Sequence, residues 1–276
     1  MEDLVSILPA VFVALAALSF IMFLIPGRHA RFFAASGWIS MLLFLLTNLP
    51  YYFSISNFLY PLIFIVSIPF VYITVRGLFR GDDGPLRLSY GAAVAFVIWA
   101  PFSYIQPLNQ WLISTVASQT YVVLSMLGYP VDLLSWSMIG NSHYIIEIIL
   151  DCTGIQAISI MLGLVAIGHA TVRQRACGVI LVIPSIYILN LLRNSFVIMA
   201  YTGQWFDFGA ELIGNGETGF ESFFWSHNVI CEGLALIVLI IIAWGVFRII
   251  PGTWDEIEEL IGYYTGEVRR IAGKDK

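Results

Sequence analysis

The run ILVIPSIYILNLLRNSFVIMAY, residues 180–201, is apolar apart from a few polar side chains and one charge, Arg193. A stretch of that length and character reads as a membrane-spanning helix. An unpartnered guanidinium in hydrocarbon costs roughly 2.5–3.5 kcal/mol on insertion scales. Such a residue is paired, faces a wet cavity, or takes part in function. What surrounds Arg193 is therefore the informative question.

Working outward, the same pattern recurs. Apolar runs fall near Leu4–Ile25, Phe32–Phe53, Phe58–Phe79, Leu88–Ile105, Thr153–Gly168, Cys177–Tyr201 and Asn228–Ile250. The fifth is short and is expected to start a few residues earlier. Of the 276 residues, 59% are hydrophobic and 11% charged, against about 25% charged in a soluble domain. The fold class is thus all-α, a polytopic membrane protein of about seven transmembrane helices. No basic segment precedes the first run, so no cleaved signal peptide is expected.

Basic residues orient the spans. Arg28 and Arg31 follow the first, Arg76, Arg80 and Arg87 the third, and Arg173 and Arg175 the fifth. Arg248 closes the seventh, and Arg269, Arg270, Lys274 and Lys276 lie in the tail. With the N-terminus outside and the C-terminus cytoplasmic, every Lys and Arg except Arg193 falls on the cytoplasmic side. Glu2, Asp3, Asp132, Glu147, Asp151, Asp207, Glu211, Glu217 and Glu221 fall on the other.

Two external segments break the pattern. In residues 106–151, Leu108, Leu112, Val116, Val123 and Leu127 recur at helical spacing, which reads as an amphipathic or re-entrant helix over 108–128. An eighth crossing is possible there. Residues 202–226, rich in Gly, acidic and aromatic side chains, read as an external loop or lid. Residues 1–250 are taken as one integral membrane domain, its catalytic half at about 140–250. Residues 251–276 read as a cytoplasmic amphipathic tail, opening with the capping-box pattern TWDE and carrying Trp254, Ile257, Ile261, Tyr264 and Val268 at 3/4 spacing.

Three chemical groups from separate helices then fall at one outer depth. Cys152, in ILDCTGIQ, stands at the entry of the fifth span, and His227, in FFWSHN, starts the last. Arg193 lies eight residues before Tyr201, about 12 Å along a helix. An imidazole can take a proton from a thiol, and a guanidinium can favour the thiolate and later an oxyanion. Asp151 and Glu147 oppose thiolate formation unless they orient His227, His143 or Arg193. Cys177 and Cys231 read as packing residues, although Cys231 falls one turn from His227. No CxxC or Cys/His cluster suggests a metal, and neither a cofactor nor a nucleic-acid partner is expected.

Two other readings stay open. Arg193 and Glu232 could form an intramembrane ion pair in a transporter or channel. His143 and Glu147, at i,i+4, could join His227 in an intramembrane metallohydrolase, although no HExxH motif is present.

At DCTGIQ around Cys152, NLLRN at 190–194 and the pair His227–Asn228, the chain resembles the exosortase/archaeosortase family of membrane sorting enzymes, its archaeal branch above all. The resemblance covers roughly residues 140–250. It implies a cysteine transpeptidase on the outer face of an archaeal membrane. Such an enzyme cleaves a C-terminal sorting signal, made of a Pro-Gly-Phe motif, a hydrophobic helix and a basic end, from S-layer-type surface proteins, and passes the acyl group to a membrane lipid. It also implies Cys152 as nucleophile, Arg193 as proton donor or oxyanion partner and His227 in the third basic position. Asp151, Asn190, Asn194, Asn228 and Glu232 are supporting candidates beside them.

Overall fold

A computed structural model describes residues 2–54, 59–209 and 219–273. Glu211 and Glu217 of the expected lid, and Lys274 and Lys276 of the tail, lie outside the described residues. Among the described residues, six helices are long and apolar enough to cross a membrane: Ile7–Leu24, Ala30–Phe53, Tyr60–Arg80, Asp83–Tyr104, Val172–Thr202 and Phe220–Ile249. The expected fifth span, Ile155–Ile167, is a shorter apolar helix of 13 residues, about 20 Å at 1.5 Å per residue. The chain divides into two compact units, Met1–Ile98 with Leu162–Ala170 and Ile250–Lys276, and Trp99–Met161 with Thr171–Ile249.

In the first unit, α1 (Glu2–Leu24), α2 (Ala30–Ser54) and α3 (Leu59–Arg80) pack in sequence, followed by the first part of α4 (Asp83–Tyr104). Phe20 is fully buried because Gly37 leaves its ring room; a Cβ there would approach the ring to 2.7 Å. Trp38 donates to Ser89 at 2.9 Å and meets Phe70 edge-on at 5.4 Å.

The C-terminal helix of this unit, Pro251–Ile271, does not form the expected capping box. Pro251, suited to the first helical turn by its fixed φ and missing N–H, starts the helix early, and the N-cap Ile250 makes no side-chain cap. Thr253 is instead buried against Gly168. Glu256, also buried, lies 2.6 Å from Arg87 and 3.2 Å from His169. Glu267 pairs with Arg80 at 2.9 Å. Tyr263 donates to Asp82 at 2.8 Å.

The second unit begins with the end of α4 and α5 (Gln106–Met126). The helix expected over 108–128 is present, but the buried face is Ile113, Val116, Ala117, Thr120 and Leu124. Leu108 and Leu127 are exposed. Only Val116 is shared with the expected stripe, because the packed arc is set by the neighbouring core rather than by the most regular apolar spacing.

Residues 132–147 form a three-stranded antiparallel sheet, β1 (Asp132–Leu133), β2 (Met138–Gly140) and β3 (Ile145–Glu147). Asn141 closes the β2–β3 turn, its Oδ1 accepting from the amides of His143 and Tyr144 at 2.9 and 2.8 Å. Ile139, Ile146 and Ile148 go into the core with Ile113, Val116, Leu124, Val197, Ile198 and Cys231.

A 3-10 turn, Leu150–Thr153, leads to Gly154 at φ +78. The following helix, α6 (Ile155–Ile167), therefore starts later than expected, not earlier: the left-handed residue separates it from the turn. The long helix α7 (Val172–Thr202) opens on a capping box, in which Thr171 accepts from the Gln174 amide and Gln174 accepts from the Thr171 amide. Helix α8 (Phe220–Ile249) is interrupted by a π-helical stretch, Phe224–Cys231. The C-terminal helix is α9.

Candidate active site

Local backbone chemistry sets the position of Cys152. The 3-10 turn holds its amide on the Ile149 carbonyl at 2.9 Å, and Gly154 ends the turn in a conformation that a side chain resists. A Cβ on Gly154 would also come within 3.3 Å of Asn190. The carbonyl of Cys152 accepts two amide hydrogen bonds from α7, from Asn190 Nδ2 at 2.7 Å and Asn194 Nδ2 at 2.8 Å. Residues four apart share a helix face, so the pair clasps one backbone atom of the candidate nucleophile. Cys152 is half-buried, Cys231 buried and Cys177 exposed.

From Asn194 the bonding continues. Arg193 Nη1 lies 3.5 Å from Asn194 Oδ1, and Arg193 Nη2 is 3.0 Å from His227 Nε2. Nδ1 of His227 meets Asn228 Oδ1 at 2.7 Å. The tautomer follows from the donor inventory. A guanidinium has no acceptor, so Arg193 donates and His227 Nε2 carries no proton. Nδ1 then carries it and donates to Asn228. The imidazole is neutral in this arrangement, and its free lone pair is already taken by Arg193 rather than open to a thiol. The ring also stacks on Phe223 at 4.9 Å and 18°.

The structure thus brings Cys152, Asn190, Asn194, Arg193, His227 and Asn228 into one hydrogen-bonded chain. It does not pair Glu232 with Arg193, although both line one cavity. Among the described residues no ion pair joins them, since the Arg193 donors go to Asn194 and His227. The transporter reading loses the pair on which it rested. Neither Asp151 nor Glu147 orients a basic group: Asp151 accepts from Gln156 at 2.6 Å, and Glu147 from Ser137 at 3.5 Å. His143 lies in the turn before β3, bonded to Ser142 at 2.8 Å. The helical face that His143 and Glu147 could have shared is not formed, because Ile145–Glu147 is a strand.

A cavity of about 490 Å³ opens beside this chain. Arg193, Asn190, Asp151, Gln156 and Glu232 supply its polar lining, and Ile186, Leu189, Leu192, Leu234, Val238 and Leu239, with Cys231, supply the rest.

Three features escaped the sequence. The cavity needs the helices placed. The π-helical stretch, a form frequent at functional sites, spaces residues at an i→i+5 interval, and nothing in FFWSHNVIC announces it. Phe223 reads as one aromatic of many until its stacking is seen.

The described parts of the expected lid pack on the same end of α7. Ser222 donates to the Ala200 carbonyl at 2.7 Å, and Trp225 donates to the Phe208 carbonyl at 3.0 Å. Phe196 meets Trp205 edge-on at 5.8 Å.

With spanning helices and a cysteine backbone, guanidinium and imidazole linked through hydrogen bonds, the molecule has the layout of a polytopic membrane enzyme, and its relatives agree with this. Residues 6–221 match the transmembrane exosortase family, and the chain belongs to that family. The match includes Cys152 and Arg193 and ends before His227. The chain is 29% identical to archaeosortase A of Natronomonas pharaonis over 278 residues, covering 94% of this chain and 88% of the relative. It is 27% identical to archaeosortase A of Haloferax volcanii over 257 residues, covering 84% of each. No solved structure matches the chain.

Proposed function

We propose that the protein is a membrane cysteine transpeptidase. It cleaves the C-terminal sorting signal of surface proteins of the S-layer type and transfers the new C-terminus to a membrane lipid. The observation that supports this most is the bonded chain from the Cys152 carbonyl through Asn194 and Arg193 to His227, in a chain of the exosortase family.

The substrate helix enters sideways from the bilayer, and its cleavage motif reaches Cys152. The Cys152 thiolate attacks the scissile carbonyl, whose oxygen takes up the negative charge. Arg193 stabilises that oxyanion with its planar donor fork. The C–N bond breaks, the leaving amine takes a proton from the medium, and an acyl-thioester remains on Cys152; the proton later given up by the lipid nucleophile restores the balance. A nucleophilic group of a lipid head then attacks the thioester, gives up its proton, and releases Cys152 as thiolate.

His227 acts through Arg193. Its neutral ring accepts from the guanidinium and fixes the direction of the remaining donors. Asn190 and Asn194 hold the nucleophile's backbone. The aromatic segment around Trp205, Phe208 and Trp225 covers the site and keeps water from the thioester. The active site faces outward, the N-terminus lies outside and the C-terminus is cytoplasmic, as the basic residues ask.

The test is processing of a reporter protein that ends in a sorting signal. Cys152→Ala and Cys152→Ser are expected to leave it uncleaved, while Cys177→Ala and Cys231→Ala process it normally. Cleavage by Cys152→Ala would overturn the assignment.

A further inference from the structure

The segment that leads into Cys152 is a strand with one side of its backbone open. Exposure alternates along it: Ile145, Glu147 and Ile149 are exposed, while Ile146 and Ile148 are buried. The two buried side chains pack into the core with Ile139 and Val197, so the strand is held in place. Its ladder to β2 is bounded by Ile148 N donating to the Ser137 carbonyl at 2.8 Å and Asn141 N donating to the Tyr144 carbonyl at 2.9 Å. In an antiparallel pair, backbone groups face the neighbour at every second residue. Tyr144, Ile146 and Ile148 therefore turn theirs to β2, and Ile145 and Glu147 turn theirs the other way.

That other side is the edge of the sheet, since β3 is its last strand. Among the described residues no hydrogen bond reaches the backbone amide or carbonyl of Ile145 or Glu147 across it. Ile149 continues the extended backbone at φ -108 and ψ 175. Its carbonyl falls on the open side and accepts the Cys152 amide at 2.9 Å. The 3-10 turn thus bends toward the open edge and sets Cys152 at its end.

A substrate cut by a thiol must offer a carbonyl that a helix would keep in its own ladder. Unwinding that stretch leaves amides and carbonyls without partners, which is costly wherever water is scarce. A sheet edge supplies such partners, and adding a strand to an edge is a recurring mode of peptide recognition. We propose that the extended stretch of the sorting signal pairs with the open edge of β3 at Ile145 and Glu147, which delivers its scissile carbonyl to Cys152. Strand pairing rests on the transpeptidase reading above and adds how that site holds its substrate. The edge is continuous with the candidate nucleophile, and its rigid, core-anchored backbone is ordered before the peptide arrives. The exposed side chains of Ile145 and Glu147 then stand beside alternate side chains of the bound strand.

Binding tests this without turnover. Full-length Cys152→Ala protein in lipid nanodiscs is titrated with a synthetic peptide made of a Pro-Gly-Phe motif, an apolar helix and a basic end. Analogues carry a single backbone N-methyl group at each residue in turn on the N-terminal side of the helix. Affinity is expected to fall by about tenfold at every second residue, as for one hydrogen bond lost with its partner left unpaired, and to hold at the residues between. An even response along the stretch would overturn strand pairing. It would leave the transpeptidase reading standing, because cleavage of the unmodified peptide by the enzyme with Cys152 intact decides that separately. Absence of binding by the unmodified peptide would overturn strand pairing as well.

Glu147→Pro gives the reciprocal reading. It removes an amide on the open side alone, a position where an edge strand accepts proline. The unmodified peptide is expected to bind about tenfold more weakly, with the thermal midpoint little changed, and unaltered affinity would overturn the proposal. If that variant fails to fold, the peptide series still decides. Disulfide-linked dimers of Ile145→Cys protein, with Cys152, Cys177 and Cys231 replaced by Ala, would place a second copy on the edge and overturn the choice of occupant.

Discussion

At the scale of single residues, the arrangement assigns different work to three polar side chains on or beside α7. In the proposed mechanism Arg193 faces the reaction, so its shape matters as well as its charge. Arg193→Lys keeps the charge but loses the planar fork, and processing is expected to fall by about a hundredfold or more, as for loss of one oxyanion donor. Near-normal single-turnover rates in that variant would reduce Arg193 to a structural ion. His227, by contrast, already spends its free nitrogen on Arg193 at 3.0 Å. His227→Asn is expected to slow cleavage by up to about a hundredfold through a misplaced guanidinium while leaving the shape of the pH–rate profile unchanged. A lost ionisation limb would instead make His227 the proton acceptor. Asn194→Ala removes one of two donors on the Cys152 carbonyl and leaves Asn190 in place. Its effect is expected to be milder than that of Arg193→Lys, and measured initial rates decide the order.

At the scale of elements, the decisive feature is the interruption between β3 and α6. Gly154→Ala forces an alanine to φ +78 and a Cβ onto Asn190. A left-handed non-glycine residue costs roughly 1–2 kcal/mol, so a lowered thermal midpoint together with weaker processing is the expected result. The six long spans were legible because a run of apolar residues has one physical meaning in a membrane. Cys152, Arg193 and His227 were legible as polar exceptions among apolar runs, and hydrogen bonds through Asn194 link the Cys152 carbonyl to Arg193 and His227. What stayed hidden depends on neighbours. The alternation of Ile146 and Ile148 around Glu147 was a strand signal, while the i,i+4 spacing of His143 and Glu147 left a shared helical face open in one rival reading. Both TWDE and TVRQ fit a capping box, yet only Thr171 forms one, because Pro251 moves the helix start ahead of Thr253. In α9, burial raises the Glu267 carboxyl, but the Arg80 hydrogen bond, with the charges of Arg80 and Arg270, outweighs it and leaves its pKa below the usual value. A depressed carboxylate contributes stability that is present above its unfolded pKa and lost as pH falls through its folded one. Glu267→Gln is therefore expected to lose stability at neutral pH and to show a smaller further loss on acidification, checked by thermal midpoints across that range.

At the scale of the whole molecule, the chain is a multi-pass membrane protein of the exosortase family in which Arg193 lines a cavity and bonds to His227, while the Cys152 backbone is held by Asn190 and Asn194. The distribution of Lys and Arg predicts that Cys152 faces outward while the α6–α7 turn, with Arg173 and Arg175, faces the cytoplasm. A membrane-impermeant thiol reagent applied to intact cells would then label a cysteine placed at exposed Ser142 and spare one placed at exposed His169. The reverse pattern would invert the topology. The central claim is that Cys152 carries the acyl group. It is tested most directly by mass spectrometry of the enzyme trapped during turnover of a sorting-signal substrate with the lipid acceptor withheld. The expected result is a hydroxylamine-labile acyl adduct on the peptide containing Cys152, whose mass identifies the cleaved substrate. Turnover with an adduct on Cys177 or Cys231, or with none on any cysteine, would contradict it.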